Sequence, residues 1–568
     1  MRIIFVLLSI SAILETSAQQ GTRTGLRSPL DIPLNLSGNF GEFRSNHFHT
    51  GLDIKTQGKE GLKVYASQAG AVSRVKVGPY GFGNALYIDH PNGLTTVYAH
   101  LQSFSPKIDS MLLAEQYRQQ TWEIEWYPEP NTLFVDSSEV IGRSGNSGSS
   151  GGPHLHYEIR ETATEFPLNP LLWDFAIADH QAPVIKGLYV IPVSDTSEVA
   201  GGSQELYIAA VSTTGKVTLQ QKGVIDVSGP IGIGIHTIDV LDGNSNLCGI
   251  YSIVMSLDGE EVYKQEMDIL DFSANRFLNA HALYPAFKKN KSSVHKTYRL
   301  PYNRLPIYKT IRDNGQIELQ DDQVHTLAVE VKDVHGNKSS CSINIRRVRR
   351  KAQSAQSDLA PRGVKVFKYD SVNTLRTDSC NIYMPEGRLY DDADVWIAPR
   401  KGDASLYSML YEIGDRMTPL QDTYVLKIKT REVAPGKEDK LVIMRYDGSK
   451  YISLGGAYKL GWMILDIKEF GVFCVGIDDI SPTIKQREFV LPKKGAKAQI
   501  SFNISDNLSG ISRYEAKADG EWVRMHWDPK RALLWYDAGD KKITSHTKRF
   551  ELKVWDERGN VREWTNTP

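Results

Sequence analysis

Short β-type segments recur along nearly the whole chain, and they constrain its fold more than any other feature. Residues 71–77 (AVSRVKV) and 85–88 (ALYI) are examples, and turn signals such as residues 91–93 (PNG) separate them. Residues 30–175 favour an antiparallel β domain with exposed loops. One short helix is predicted over 109–120, where good helix formers follow an N-cap candidate. The chain is therefore predicted to be mainly β.

Length and charge limit the class of protein. The 568 residues leave room for about three to five domains. The 67 Lys and Arg residues balance the 67 Asp and Glu residues, which argues against a general nucleic-acid binder or a protein that coats anionic membranes. A hydrophobic fraction of 41% and a charged fraction of 24% are typical of globular proteins and exclude large-scale disorder.

The first residues have the pattern of a secretory signal peptide. Arg2 supplies a basic start, residues 3–14 are apolar, and Thr16, Ser17 and Ala18 offer a cleavage site before residue 19. The apolar run is shorter than the roughly 20 residues that a membrane-spanning helix needs. We expect export across the inner membrane, to the periplasm or the extracellular space. No transmembrane segment and no lipid anchor at the cleavage site are expected.

The second half of the chain contains an internal repeat. Residues 249–260 and 329–337 supply a Gly-Ile start, an Asp-Gly-Glu turn and an Asp-x-x-Gly-Asn turn, and residues 510–521 and 552–560 repeat them. Two immunoglobulin-like β-sandwiches would explain the repeat. The predicted divisions are a signal peptide at 1–18, an antiparallel β domain at 19–178, an immunoglobulin-like sandwich with an insertion near 265–303 at 179–350, a linker at 351–361, a β-sandwich module at 362–480 and an immunoglobulin-like sandwich at 481–568.

Four cysteines are few for an exported chain of this length. Cys248 and Cys341 fall in one predicted module, and Cys380 and Cys474 fall in another. Two disulfides within modules and four buried thiols are both open alternatives. The chain has no Cys-x-x-Cys spacing, which argues against a thiolate metal site or a redox pair.

Histidines gather in two short segments. The first holds His49 and Asp53, and the second holds His154 and His156, whose strand periodicity directs both imidazoles to one face. His100 ends a β-type run and is expected to reach that face. Zn²⁺ takes nitrogen and oxygen ligands tetrahedrally, and a catalytic site keeps one position for water. His49, Asp53 and one histidine of the second segment would supply three ligands, leaving two histidines for proton transfer and oxyanion stabilisation.

In this order, His-x-x-x-Asp at 49–53, Tyr-x-His at 98–100 and His-x-His at 154–156 resemble the lysostaphin-type zinc metallopeptidases of family M23, also called LytM-like endopeptidases. Residues 81–90 (GFGNALYIDH) and 141–148 (IGRSGNSG) agree with the resemblance. It covers about a quarter of the chain. The resemblance implies a LytM-like antiparallel β peptidase domain followed by the three β-sandwich modules.

The resemblance also assigns roles within the site. It makes His49, Asp53 and His156 the ligands of a zinc cofactor, and it makes His100 and His154 the catalytic pair beside the attacking water. It implies hydrolysis of peptide bonds in peptidoglycan stems or cross-links, with D-Ala–diaminopimelate as the expected bond for a periplasmic enzyme. The β-sandwich modules would position the peptidase or bind a protein or envelope partner.

Two features depart from the family pattern. His47 lies two residues before His49 and is a competing ligand, although it lacks the spacing to Asp53. Residues 106–138 form a longer connection than the minimum, which would cap the groove beside the Gly-rich loop at 145–152 and narrow the substrate range.

Two alternative functions stay open. One is a non-catalytic LytM-like scaffold that activates a cell-wall amidase or binds the cell wall. The other is an adhesin or carbohydrate-binding protein, whose sugar-binding aromatics would come from the C-terminal sandwich: Trp522, Trp527, Trp535 and Trp555. Residues 242–253 have the acidic spacing of a calcium loop but lack its Gly and Glu, which favours a plain turn.

Overall fold

The computed structural model describes residues 23–130, 132–213, 216–349, 363–493 and 497–566. The predicted signal peptide and the predicted linker at 351–361 lie outside them. Antiparallel sheets dominate these residues, so the prediction of a mainly β chain is confirmed. No helix in this part of the chain is both long and apolar enough to cross a membrane. The predicted domain boundaries stay predictions.

The N-terminal domain is built on a nine-stranded sheet, beside a three-stranded sheet. Strand β13 lies near the middle of the large sheet, between β4 and β8, and Leu155 and Tyr157 on this strand are fully buried in the core. The elements are β1 (Leu36–Gly38), β2 (Phe43–Arg44), β3 (His47–Phe48), β4 (Leu52–Lys55), β5 (Lys63–Tyr65), β6 (Gly70–Val77), β7 (Ala85–Asp89), β8 (Leu94–Ala99), β9 (Ser103–Phe104), α1 (Pro106–Gln119), β10 (Ile124–Trp126), β11 (Phe134–Val135), β12 (Val140–Arg143), β13 (His154–Glu161) and β14 (Pro167–Leu168).

Helix α1 begins three residues before the predicted start at 109. Ser105 has the extended backbone of an N-cap, and Pro106 occupies the first helical position, where its missing N–H costs nothing. The helix ends at Gln119 because Gln120 takes a left-handed conformation. Its buried side chains include Ile108 and Leu112, which join the core of the N-terminal domain.

The second β region forms a twelve-stranded sheet arrangement after residue 183. Its elements are β15 (Val184–Pro192), β16 (Glu198–Val199), β17 (Leu206–Thr213), β18 (Lys216–Leu219), β19 (Val224–Ser228), β20 (Ile231–Ile238), β21 (Ser252–Leu257), β22 (Glu260–Glu266), α2 (Leu278–His281), α3 (Tyr284–Asn290), β23 (Val294–Lys296), β24 (Tyr308–Ile311), β25 (Val324–Lys332) and β26 (Lys338–Arg347). The segment from 265 to 303 carries both helices, and its apolar side chains share one buried cluster with Phe40, Phe43 and Phe48. This cluster fixes the second β region to the N-terminal domain.

The third β region contains two five-stranded sheets. Its strands are β27 (Lys365–Phe367), β28 (Asn373–Arg376), β29 (Cys380–Met384), β30 (Ala393–Val395), β31 (Ile397–Arg400), β32 (Leu410–Ile413), β33 (Tyr424–Lys429), β34 (Leu441–Tyr446), β35 (Tyr451–Gly455), β36 (Ala457–Lys459), β37 (Trp462–Ile467) and β38 (Gly471–Ile477).

All four cysteines are free thiols, so the disulfide alternative is not realised. Cys248 packs with the apolar core of the N-terminal domain, whereas Cys341 packs against the core of the second β region. Cys380 and Cys474 likewise belong to two different apolar clusters. Burial raises the pKa of each thiol to about 12, which keeps them protonated and unreactive.

The C-terminal β region consists of two four-stranded sheets. Of the four tryptophans considered for sugar binding, Trp527 is buried and the others are half-buried, so none of these side chains is fully exposed. The strands are β39 (Thr483–Val490), β40 (Gln499–Ser505), β41 (Ile511–Ala518), β42 (Glu521–Trp522), β43 (Met525–Asp528), β44 (Leu533–Tyr536), β45 (Phe550–Asp556) and β46 (Val561–Asn566). Short 3-10 turns occur at Pro170–Leu172, Asn275–Phe277, Asp313–Gly315, Glu438–Lys440, Pro529–Arg531 and Ala538–Asp540.

Candidate metal and catalytic site

The sheet register brings the five predicted site residues together. His156 on β13 lies opposite Asp53 on β4 and opposite Ala99 on β8. His49 precedes β4, and His100 follows β8 with a left-handed backbone. His154, two residues before His156 on β13, lies on the same face of the strand. Residues that are 107 positions apart in the chain thus meet at one end of three adjacent strands.

Three potential ligand atoms converge at the centre of the site. Asp53 Oδ1 lies 3.0 Å from His49 Nε2 and 3.0 Å from His156 Nδ1. The two imidazole nitrogens lie 3.1 Å from each other. All three residues are buried. Their donor set, two imidazole nitrogens and one carboxylate oxygen, is the kind that Zn²⁺ prefers.

Neighbouring acceptors orient both rings. His49 Nδ1 donates to the carbonyl oxygen of Asn39 at 2.8 Å, and His156 Nε2 lies 2.9 Å from Glu158 Oε1. A carbonyl or carboxylate oxygen can only accept, so each ring carries its proton on the outer nitrogen and turns a lone pair inward. The centre then consists of two nitrogen lone pairs and a carboxylate, with no proton between them. This arrangement fits a cation, and outer contacts of this type are the usual support of metal-bound histidines.

Charges around the centre favour an ionised carboxylate. Although burial opposes it, hydrogen bonds that His156 donates to the carboxylates of Asp53 and Glu158 raise the pKa of His156 to about 9. Against the same desolvation, the surrounding histidines hold the pKa of Asp53 well below its usual range. Arg44 Nη2 contacts the outer oxygen of Asp53 at 2.8 Å. Without a metal, a proton on His156 would supply the positive charge at the centre.

His100 and His154 form a second pair beside the first group. Their ring centres lie 4.7 Å apart, and His154 Nε2 lies 3.4 Å from Asp53 Oδ1. His100 Nδ1 lies 2.9 Å from the carbonyl oxygen of Ser147, and His154 Nδ1 lies 2.8 Å from that of Gly152. With the proton on Nδ1, each ring keeps a lone pair on Nε2, and that of His154 lies beside Asp53. Burial, reinforced by the neighbouring histidines, lowers the pKa of His100 to about 3, so this ring is neutral at physiological pH.

His47 lies outside this constellation. Its ring is exposed on the β2–β3 hairpin, and its Nδ1 lies 2.9 Å from the carbonyl oxygen of Ser45. His49 is the histidine of this segment that meets Asp53.

Sequence reasoning missed three supporting residues. Glu158 shares the strand parity of His154 and His156, so the alternation alone was enough to place it on the same face. Asn39 and Arg44 come from β1–β2 and reach the site only through tertiary packing, which no local pattern reveals.

The Gly-rich loop at 145–152 forms one wall of the site. Gly148 has a φ of 68°, and a Cβ there would lie 2.4 Å from the carbonyl oxygen of Gly81, so only glycine allows this close approach. Beyond the loop lies a cavity of about 690 Å³ between the N-terminal domain and the C-terminal β region. Lys530 from that region donates to the carbonyl oxygens of Asn146 and Ser150 at 2.6 and 3.1 Å.

Comparison with known proteins finds a family model that matches part of the N-terminal domain. The family model "Peptidase family M23" matches residues 47–116, and the model "Zu5-like domain" matches residues 364–478 in the third β region. The N-terminal domain is thus that of a peptidase, and it belongs to family M23. The resemblance predicted from the motifs is confirmed.

Two curated relatives share this domain. The chain is 37% identical over 123 residues to the DD-carboxypeptidase/endopeptidase Mpg of Neisseria meningitidis, a match that spans 22% of each protein. It is 31% identical over 139 residues to the peptidoglycan DD-endopeptidase ShyA of Vibrio cholerae, spanning 23% of this chain and 26% of the relative. The match therefore covers about a quarter or less of either relative.

Solved structures are similar over the same part. The catalytic domain of the prophage-encoded M23 protein EnpA from Enterococcus faecalis matches at 23% identity, covering 23% of this chain and 82% of that one, with a TM-score of 0.17. A zinc-containing peptidase from Vibrio cholerae matches at 25% identity, covering 26% and 39%, with a TM-score of 0.20.

Proposed function

We propose that this chain is an exported zinc endopeptidase that hydrolyses peptide bonds in peptidoglycan, with D-Ala–diaminopimelate as the bond cut. The observation that carries the proposal is the convergence of three potential ligands beside two further histidines. His49, Asp53 and His156 meet at the centre, and the unprotonated Nε2 atoms belong to His100 and His154. The peptidoglycan substrate is supported by the names of the two curated relatives. A substrate in the cell wall would place the protein in the periplasm or outside the cell.

The residues fit zinc. His49, Asp53 and His156 would hold the ion, and the outer hydrogen bonds of both rings fix their orientation. When bound, zinc supplies a Lewis acid that polarises a peptide carbonyl and makes water acidic enough to attack it near neutral pH.

The remaining histidines handle the protons. Each ring donates Nδ1–H to a loop carbonyl, so Nε2 can accept the proton that the attacking water loses. The imidazolium formed in this way stabilises the developing oxyanion and then delivers the proton to the leaving amine. The neutral state of His100 suits an acceptor, and His154 lies nearer to Asp53. Which of the two rings acts as the base stays open.

The completeness of the site disfavours the scaffold alternative. A scaffold has no need for a converging ligand set, two more histidines with free nitrogens and the outer acceptors Asn39 and Glu158. The adhesin alternative relies on four tryptophans, none of which is fully exposed.

The test is digestion of diaminopimelate-type peptidoglycan by the mature protein, with mass spectrometry of the released muropeptides. We expect loss of cross-linked dimers, and we expect His154→Ala to abolish cleavage while the zinc content stays at one ion per chain. His49→Ala should lose both. His47→Ala is the matched control, since this exposed histidine of the same segment lies outside the site, and it should keep both.

Two results would contradict the proposal. Full cleavage by the protein after its zinc is removed would exclude the mechanism. No cleavage by zinc-loaded protein, with activation of a separate amidase in the same assay, would favour the scaffold instead.

A further inference from the structure

Two groups of three aspartates occupy equivalent places at the start of the second and C-terminal β regions. In each group, the first aspartate lies four residues before a proline that precedes the first strand, the second directly follows a strand, and the third opens an Asp-x-x-Gly-Asn turn. The members are Asp179, Asp239 and Asp333 in the first group and Asp478, Asp506 and Asp556 in the second.

The same hydrogen bonds build both groups. In the first, Asn337 Nδ2 donates to the backbone carbonyl of Asp179 at 3.1 Å and to Asp333 Oδ2 at 2.8 Å. In the second, Asn560 Nδ2 makes the corresponding bonds to Asp478 and Asp556 at 2.9 and 2.7 Å. In both regions, the asparagine of the repeated turn therefore ties the third aspartate to the backbone of the first.

Several of these carboxylate oxygens are buried without a partner. Asp239 is 2% exposed, and its Oδ1 has no hydrogen bond to any described residue. Asp478 is 1% exposed, and its Oδ1 also has no hydrogen bond to any described residue. Asp179 Oδ2 and Asp506 Oδ1 share this condition. Leaving a buried carboxylate oxygen unpaired costs several kcal/mol unless a cation compensates it.

The protein itself supplies little compensation. Among the described residues, no Lys or Arg side chain forms an ion pair with these six carboxylates; the nearest basic group is His335, whose Nδ1 lies 3.7 Å from Asp179 Oδ2. Burial and mutual repulsion with the other two carboxylates raise the pKa of Asp239 to about 8. Burial likewise raises the pKa of Asp333 to about 6.

There is room for a single ion at the first group. A cavity of about 10 Å³ is lined by Asp179, Asp239 and Asp333, which is the space of one water molecule or one monatomic ion. Beside it, one ligand atom from each of Asp179, Asp333 and His335 lies within 4.8 Å of the others, and at the second group the same holds for one oxygen from each of Asp478, Asp506 and Asp556.

We propose that each aspartate group binds one Ca²⁺ ion, so that the chain carries two structural calcium sites apart from its catalytic centre. Carboxylate oxygens are the ligands of hard cations, and the second group contains no nitrogen or sulfur donor that would favour zinc. Each ion would join the segment entering a β region to two of its loops. The first site also adjoins the N-terminal domain, because Asn39 and Phe40 line its cavity.

The test uses the full chain, stripped of metal and reloaded with one equivalent of zinc. Calcium is titrated by calorimetry, and thermal unfolding is followed with and without it. We expect two calcium ions per chain and a higher unfolding midpoint in calcium. Asp239→Asn and Asp506→Asn should each bind one ion, and the double variant none.

Control variants separate the sites from general charge effects. Asp242→Asn and Asp479→Asn remove neighbouring carboxylates that pair with His180 and Lys437, and both should keep two ions. In calcium-free buffer, Asp239→Asn should unfold at the same temperature as the parent chain or higher, because asparagine keeps the side-chain volume and cannot repel the other two carboxylates. That result shows that the variant folds.

Three outcomes would overturn the proposal. The first is no calcium binding up to about 10 mM, above the range of extracellular calcium modules. The second is an equal response to Mg²⁺, which would exclude the calcium assignment. The third is a second zinc ion per chain that Asp239→Asn removes, which would make the first group a zinc site with His335.

Discussion

At the scale of single residues, the site depends on side chains that touch no substrate. Glu158 accepts from His156 at 2.9 Å and from Thr50 at 2.5 Å, and Arg160 Nε contacts its other oxygen at 2.7 Å. Against its own burial, Arg160 and His156 lower the pKa of Glu158 to about 2. A carboxylate that stays ionised holds the His156 ring in the tautomer that turns Nδ1 inward.

Glu158→Gln should therefore weaken the proposed zinc site without removing a ligand. Glutamine keeps the volume but can offer either its amide or its oxygen to His156, so the ring loses its fixed tautomer. We expect zinc affinity to fall about 10- to 100-fold, measured by competition with a chromogenic chelator. Glu165→Gln is the control, since this exposed carboxylate contacts Arg160 at 3.3 Å and lies outside the site. Equal affinity in both variants would contradict the role given to Glu158.

The sequence was most informative about these residues. The motif spacing selected all five members of the cluster, and the period of two along β13 placed His154 and His156 on one face. It did not identify Asn39 or Arg44, because their contacts with His49 and Asp53 depend on how β1 and β2 pack beside β4. It left the disulfides open because the apolar clusters that separate the cysteines exist only in the folded chain.

At the scale of elements, the insertion of the second β region acts as an anchor. Its helices α2 and α3 pack around Phe43, whose ring lies 6.0 Å from that of His281 on α2 and 5.8 Å from that of Phe287 on α3. The sequence predicted that an insertion exists near 265–303. Its packing partner could not be predicted, because the short β2–β3 hairpin that supplies Phe43 and Phe48 lies more than 200 residues away.

Phe43→Ala should show how much this cluster contributes to the free energy of unfolding. Truncating a buried aromatic side chain leaves a cavity and costs about 3–5 kcal/mol of unfolding free energy. Denaturant unfolding measures the loss, and Phe43→Leu should recover part of it. Tyr80→Ala is the comparison on the surface, because Tyr80 is 62% exposed, and it should change stability by less than about 0.5 kcal/mol. A similar small change for Phe43→Ala would show that the cluster does not hold the two regions together.

At the scale of the whole molecule, the C-terminal β region packs against helix α1 of the N-terminal domain. Arg524 donates to Gln116 on α1 at 2.6 Å and to Asp540 at 2.6 Å, and Tyr117 donates to Asp540 at 3.0 Å. The predicted long connection at 106–138 thus contains helix α1, which contacts the C-terminal β region. Its role is not limited to capping the groove.

Arg524→Ala should loosen this contact. The substitution leaves Asp540, whose side chain is 1% exposed, without its cation, and breaking a buried ion pair in this way costs about 3–5 kcal/mol. We expect faster limited proteolysis between the third and C-terminal β regions. Asp540→Asn in the same background should restore part of the stability, since it removes the unpaired charge. No recovery would show that the pair is not the source of the loss.

Acid should weaken the same contact through His526. Trp122 Nε1 donates to His526 Nδ1 at 3.2 Å, and burial, followed by the charge of Arg524, lowers the pKa of His526 to about 3. Unfolding restores a value near 6.5, so between pH 6.5 and 3 the unfolded chain binds more protons than the folded one. The stabilisation is present above pH 6.5 and declines as the pH falls, by at most about 1.4 kcal/mol per unit for this one proton. His526→Gln keeps an acceptor for Trp122 but does not titrate. As the pH falls, the unfolding free energy of the parent should therefore decrease relative to that of the variant. A difference that stays constant from pH 7 to pH 4 would refute this role of His526.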